Sequence, residues 1–447
     1  MKIWLKALIF ALVIALLSTA YYFVLKYEPD KDDEQPLGGI SLFSAQIDEV
    51  ERLEIKNPSG RYAFIKKDDA FVVEGREYIE LDQVKVETLI SSMAELSALE
   101  EIGQNEANLA AYGLEKPQAT IYIQLKNGAE GTFCLGDMAP DNSSYYLKGA
   151  ADNRVYLVYN TRGTYMLNPL TAYRPLQITS FDPKDVKYMK IENEGKVFEV
   201  EYAPYDEVRD SDTGALWQIL KPFKKKADND YISELVFNPA SSLVAEDIVI
   251  DNPASLSEFG LDKINVTVKT SNETINFKIG EKDNNAFVFM EGRTPVYKIS
   301  SGAVAFADVD AFEVAEKFAA IYNLKRVAGI SITSASQNVD IVIKHNEDET
   351  KTEYYVGGIS VGESSFKTLY QKIIGLTVDG VATKSLDKTV LCTILYKMTD
   401  GSVKRVEIYP YDEFNVAVND GVNDIFFMKT KKLNEMYEEL SRFKKNP

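Results

Sequence analysis

Hydrophobic and polar positions follow two different patterns along this chain. Residues 7–25 read ALIFALVIALLSTAYYFVL without a charge, and as a helix such a run spans about 28 Å, the thickness of a bilayer's hydrocarbon core. Lys2 and Lys6 precede it, while Glu28, Asp30, Asp32, Asp33 and Glu34 follow. That asymmetry keeps the N-terminus cytoplasmic and exports the rest. A cleaved signal peptide is the alternative, with 1–6 as its basic region and Ser18 to Ala20 as its cleavage site. Tyr21, Tyr22, Phe23, Val24 and Leu25 carry the apolar run past that site, which suits a retained anchor better. Residues 28–45 then read as a short solvated spacer.

Beyond the spacer, short alternating segments and one helical stripe recur at a period of roughly 140 residues, which is domain duplication. The openings are VERLEIKN (Val50 to Asn57), VKYMKIEN (Val186 to Asn193) and VAGISITS (Val327 to Ser334), each followed by a hairpin. Next comes a helix: Leu81, Val86, Leu89, Ile90, Met93 and Leu96 with Asp82 placed to cap the start, then Ile232, Leu235 and Val236 with Pro239 expected to interrupt or end it, then Phe366, Leu369, Tyr370, Ile373 and Ile374 up to Gly375. More strands close every copy, and Leu433, Met436, Tyr437 and Leu440 mark a terminal helix in the third. Short turns between neighbouring strands predict antiparallel pairing, so the fold class is α+β: tandem modules of mostly antiparallel sheet with one or two helices each. The modules are placed at 46–178, 179–322 and 323–447, behind a cytoplasmic tip and transmembrane helix at 1–27.

The most diagnostic segments are YGLEKPQATIYIQL with CLGD in the first copy and FGLDKINVTV with KIGE in the second. Gly113 and Gly260 are expected to take a positive φ where a loop enters a strand, with Tyr112, Leu114, Phe259 and Leu261 filling the core beside them. Pro117, Gly136 and Gly280 complete the motif. The third copy keeps the strands but loses the aromatic-Gly-Leu head.

Charge and composition narrow the chemistry. Of 447 residues, 68 are Asp or Glu and 50 Lys or Arg, a net charge of −18 that disfavours nucleic acid. One His and two Cys remove Cys/His zinc sites, iron–sulfur clusters and most His-based catalysis, and no cofactor is expected. The sequence Gly358-Ile359-Ser360-Val361-Gly362 matches a nucleophile elbow, but such a hydrolase needs its His after the Ser, and His345 precedes it, so a Gly-rich turn is expected. Asp210 to Gly214 starts like a calcium loop, yet Lys221 stands where the closing Glu belongs. The acidic pairs Glu100-Glu101 and Glu246-Asp247 fall at matching places and read as solvated junctions, although paired acids are also what a carboxylate-based hydrolase needs. Cys134 and Cys392 stand in different copies, and nothing in their spacing supports a disulfide.

On the two YGL/FGL motifs the chain resembles an uncharacterised bacterial family, the domain of unknown function numbered four-three-four-zero, over nearly all of the exported region. Members of that family often stand beside genes for export-type ABC transporters of the gliding-motility sort. The resemblance therefore implies a non-enzymatic accessory role at a membrane transporter, with the bilayer and an ABC-type permease as partners, and it supplies no catalytic residue. A binding module for an envelope polymer or ligand, and a carboxylate-based hydrolase, are the alternatives.

Overall fold

The computed structural model describes residues 39–103, 108–150, 153–203, 214–346, 351–384, 389–422 and 426–444. The apolar run at 7–25, most of the spacer and residues 204–213 lie outside the described residues. Among the described residues, no helix is long and apolar enough to cross a membrane.

Three antiparallel sheets are each built by the same route. A two-residue strand β1 (Ile40–Ser41) precedes the first sheet. Strands β2 (Val50–Asn57), β3 (Gly60–Lys67) and β4 (Ala70–Val73) then form a meander that leads into helix α1 (Gln83–Ala94). The chain passes β5 (Ser97–Ala98), which pairs with β1, and runs up the far edge as β6 (Glu100–Gly103). It returns to the middle as β7 (Ala119–Leu125), beside β2, and steps outward through β8 (Glu130–Met138), β9 (Ser144–Gly149) and β10 (Val155–Tyr159) until β10 meets β6. Helix α2 (Asn160–Leu167) follows.

The second sheet repeats this with β11 (Val186–Asn193), β12 (Lys196–Tyr202), β13 (Trp217–Lys221), β14 (Lys225–Lys226), edge strand β15 (Asp247–Asp251), and β16 (Ile264–Thr270), β17 (Thr274–Lys282), β18 (Asn285–Met290) and β19 (Pro295–Ile299). The third uses β20 (Val327–Ser334), β21 (Asn338–His345), β22 (Thr352–Val356), β23 (Ile359–Val361), edge strand β24 (Gly380–Val381), and β25 (Cys392–Met398), β26 (Val403–Pro410), β27 (Asn415–Asn419) and β28 (Phe426–Lys429). In all three the opening strand lies beside the strand that follows the edge strand: β2 with β7, β11 with β16, β20 with β25.

Local sequence explains the elements. In α1 the Asp82 carboxylate accepts the Lys85 N–H at 3.2 Å, and Val86, Leu89, Ile90 and Met93 recur at three- and four-residue spacing as one buried stripe. The second helix departs from expectation. Helix α3 (Asn229–Ile232) widens into a π segment, Ser233–Phe237, and continues as α4 (Asn238–Ser241). Pro239 follows the π segment directly, as the second residue of α4, so the regular α-helix is interrupted just before the proline but the helix does not end there. Leu235, expected on the apolar stripe, is turned partly outward by the same π segment, while Val236 and Phe237 are buried. Helix α5 (Glu363–Ile374) buries Phe366, Leu369, Tyr370 and Ile373, and α6 (Thr430–Lys444) buries Leu433, Met436 and Leu440. Ser360 lies on a short strand, β23, where a loop was expected, and the acidic pairs also lie at strands, with Glu100 and Glu101 on β6 and Glu246 leading into β15.

The chain falls into two compact units, Met1–Pro175 and Leu176–Pro447, so the second and third sheets share one unit. Their buried side chains form one continuous core, from Ile178 through Phe312's neighbourhood to Leu440. The connection between them is bonded to both. Asp228 N–H donates to Val314 O at 2.8 Å and Glu316 N–H to Lys226 O at 2.9 Å on one side. On the other, Val378 N–H donates to Lys317 O at 2.7 Å and Ala319 N–H to Leu376 O at 2.9 Å. Phe426 of the third sheet, fully buried, packs its ring 5.1 Å from Phe223 of the second and 6.3 Å from Phe312 of the connection. Removing so large a buried ring should leave a cavity across the junction. Phe426→Ala is expected to cost about 3–5 kcal/mol in urea unfolding followed at Trp217; unchanged stability would show that the ring does not hold the junction.

Candidate functional site

The YGL/FGL motif is the most distinctive feature of the sequence, and its geometry is the same in both copies. A 3-10 turn, Leu109–Tyr112, ends at Gly113 with φ 67°, and its counterpart, Leu256–Phe259, ends at Gly260 with φ 70°. Each turn lays a backbone carbonyl on the neighbouring strand. A Cβ added to Gly136 would stand 2.1 Å from Tyr112 O, and one added to Gly280 would stand 2.3 Å from Phe259 O. Only glycine admits that approach. Leu114 and Leu261 enter the core, as the sequence leads one to expect. Tyr112 and Phe259 do not: both are half-buried, with their rings 4.9 Å from Tyr146 and 5.4 Å from Phe287. Pro117 is exposed. In the third sheet Tyr409 of β26 occupies the position of Gly136 and Gly280, is buried, and donates its hydroxyl to Glu407 at 2.7 Å. Where the head is lost, a side chain fills the space its carbonyl would take. The motif residues thus set how the chain enters the sheet and present no reactive group.

A second repeated contact is one that periodicity does not reveal. Asn57, which closes VERLEIKN, donates its side-chain amide to Met166 O at 3.0 Å and Asn168 O at 2.7 Å. Asn193, which closes VKYMKIEN, donates to Ala307 O at 3.1 Å. Each ties the opening strand to the segment after the last strand of its sheet. The signal was the shared terminal Asn itself, which the third copy replaces with Ser334.

Neither enzymatic lure assembles. His345 faces Thr352 across the β21–β22 pair, whereas Ser360 faces Tyr355 across β22–β23. The imidazole is spent on structure, with Nε2–H donating to Val327 O at 3.3 Å and Nδ1 accepting from the Thr352 hydroxyl at 3.2 Å. Glu100 on β6, Asp247 on β15 and Glu246 just before it are exposed, while Glu101 is half-buried. Among the described residues no group of three or more His, Cys, Asp or Glu could hold a metal ion, and the calcium-like stretch at 210–213 lies outside them. Cys134 and Cys392 are both free thiols, and burial raises the Cys392 pKa, which keeps that thiol protonated and inert.

Concavity is found in the second unit. One groove of about 670 Å³ runs between the β11–β12 hairpin and residues 307–311, flanked by Lys196 and Asp308, which pair at 3.4 Å on the surface. A second cleft, of about 510 Å³, lies between the second and third sheets. At its base the Lys225 ammonium, with only 8% of its side chain exposed, meets Asp420 at 2.9 Å and Phe318 O at 3.1 Å, and sits 4.9 Å above the Phe426 ring. Lys224 and Lys226 come from the second sheet's side, Lys404 and Arg405 from β26 of the third. Five cations and two acids, Asp420 and Glu316, thus line one cleft of a strongly acidic chain. Tyr322 beside it has its pKa pushed up to about 12, chiefly by burial and then by Asp420, and stays neutral. This is one candidate site for binding a ligand.

The close approaches give a direct check on the motif. Gly136→Ala and Gly280→Ala should each lose about 1–3 kcal/mol, because the obstructing atom is backbone that cannot swing aside. Gly302→Ala, where an added Cβ meets nothing nearer than 3.8 Å, should be neutral. Thermal unfolding of the three variants reads this out, and equal midpoints would contradict it.

The family model described as Domain of unknown function (DUF4340) matches the chain twice, at residues 72–249 and 217–391. The matches begin at corresponding places, one within β4 and the other at the first residue of β13, so each copy takes the later strands of one sheet and runs into the next. No curated protein and no solved structure matches. As the two matches together run from 72 to 391 of 447 residues, the chain belongs to the DUF4340 family and carries two tandem copies of its domain.

Proposed function

We propose that this chain is a membrane-anchored, extracytoplasmic, non-enzymatic component of a cell-envelope complex, serving as an accessory to an ABC-type transporter. The observation that carries the reading is the uncharged run at 7–25 between lysines and acids, placed ahead of a body of repeated sheets. The motif residues support it, since they are occupied with backbone packing rather than chemistry. Repeated sheets give a wide surface for a partner, and a single tether keeps that surface at high local concentration beside the bilayer. A related reading, a binding module for an envelope polymer or ligand, is favoured by the cationic cleft between the second and third sheets.

Two experiments test the reading, and the second separates it from the binding module. Protease added to intact cells should digest the body of the full-length chain, and affinity capture of the detergent-solubilised chain should recover a multi-subunit permease with its nucleotide-binding subunit. Protection of the body until the membrane is breached would overturn the export reading, and capture of no membrane protein at native expression would overturn the transporter role.

A further inference from the structure

We propose that the groove of the second sheet binds a phenol ring that carries a cationic group, as a tyrosyl residue beside a basic one does. The site goes beyond the transporter role and does not require it. Each copy must close the gap between its opening hairpin and the segment that follows its last strand, since an interior left open forfeits packing. In the first copy Tyr62, opposite Ile55, does this, and its hydroxyl donates to Asn168 O at 2.6 Å. Tyr173 adds a second buried ring, 6.4 Å from the first. In the third copy α6 follows the last strand, Leu440 is buried, and the Gln337 amide donates to the Ser441 hydroxyl at 3.0 Å.

The second copy leaves the gap open. Phe198 lies opposite Ile191 as Tyr62 lies opposite Ile55, yet it has no hydroxyl. Asn57 donates to Met166 O and Asn193 to Ala307 O, which places Val309 where the first copy has Asn168. Likewise the Asp82 N–H donates to Tyr173 O and the Asp228 N–H to Val314 O, so a valine stands in place of the second ring. The result is a groove of about 670 Å³, in the range of small-ligand pockets, with Ile191, Phe198, Ala307 and Ala311 buried along it. A phenol from outside supplies what the first copy supplies from within, an aromatic ring and one donor for a carbonyl.

Charge at the rim adds the cation. Lys196 stands two positions before Phe198 on β12 and so shares its face, where it meets Asp308 at 3.4 Å in an exposed pair that contributes little. Lys221 also borders the groove but lies opposite Glu199, on the other face from Phe198. Asp310 is exposed on the wall, and among the described residues its carboxylate accepts only the Phe312 N–H, which leaves acceptor capacity for an ammonium group. A chain of net charge −18 draws such a group in and repels a carboxylate.

The test uses the full-length chain in detergent at low salt, titrated with tyramine and, separately, with the peptide Ac-Tyr-Lys-NH2 while NMR follows the aromatic protons of the probe. At least one should bind with a Kd below about 1 mM, and 4-hydroxyphenylacetate should bind at least about tenfold more weakly. Tighter binding of tyramine assigns the groove to a small molecule, and tighter binding of the peptide assigns it to a tyrosyl side chain. Phe198→Tyr restores the residue of the first copy and should weaken the binding about tenfold. Asp310→Asn, which keeps an acceptor for Phe312, should weaken it about threefold, whereas Glu51→Gln, at an exposed acid of the first sheet, should leave it unchanged. No binding of either probe up to about 10 mM would overturn the proposal, as would equal binding of 4-hydroxyphenylacetate or undiminished binding by a folded Phe198→Tyr variant. Any of these failures would leave the permease capture unaffected, so the two readings fall separately.

Discussion

An ammonium group held out of water must find its compensation in the fold, and Lys225 finds all of it across a junction. Its Nζ meets Asp420 Oδ2 at 2.9 Å, the Phe318 carbonyl at 3.1 Å and the face of Phe426 at 4.9 Å. Lys225 belongs to the second sheet, Phe318 to the connection, and Asp420 and Phe426 to the third. Separating the sheets would strand a charge whose desolvation costs several kcal/mol, so the pair sets register between the sheets more than it adds net stability. The apolar ring of Phe426, the backbone bonds of residues 314–319 and the continuous core act in the same direction. This junction also creates the cleft, because its walls exist only when both sheets are in place.

Repetition with selective change is the other theme. The three sheets share one strand order, with an added edge strand, β14 or β23, in the second and third, and their other differences are local substitutions for the same structural task. A turn carbonyl seated on a glycine, used twice, becomes a buried tyrosine in the third sheet. The segment after the last strand is α2 in the first copy, a 3-10 stretch in the second and the long α6 in the third. Asn57 and Asn193 hold that segment through carbonyls, while in the third sheet Gln337 reaches Ser441 of α6 at 3.0 Å. The basic cleft, by contrast, draws on side chains from two different copies and has no counterpart within a single sheet.

Much of the framework was legible because its causes are local. Asp82 before a three-and-four stripe, the alternating VERLEIKN and its kin, and the paired glycines of YGL…CLGD and FGL…KIGE each state their structural role within a few residues. The edge strands β6 and β15 were not legible: they are short, carry Glu100, Glu101 and Asp247, and are strands only because β10 and β19 present them with an open edge. Pro239 signals an interruption or end of its helix, and the interruption takes the form of the π segment before it, which a proline in the sequence does not specify. The candidate site was hidden for a simpler reason. Lys224, Lys225 and Lys226 are adjacent in sequence, but Lys404, Arg405 and Asp420 join them only through folding.

Whether the second and third sheets are one cooperative body is therefore the claim on which both the packing and the cleft rest. Native-state hydrogen exchange of the full-length chain addresses it most directly. The account predicts that central amides of β11, β16, β20 and β25 exchange through one opening of equal free energy, and that Asp420→Ala lowers that value for both sheets together. A third sheet that opens on its own at distinctly lower free energy, leaving the second protected, would contradict it.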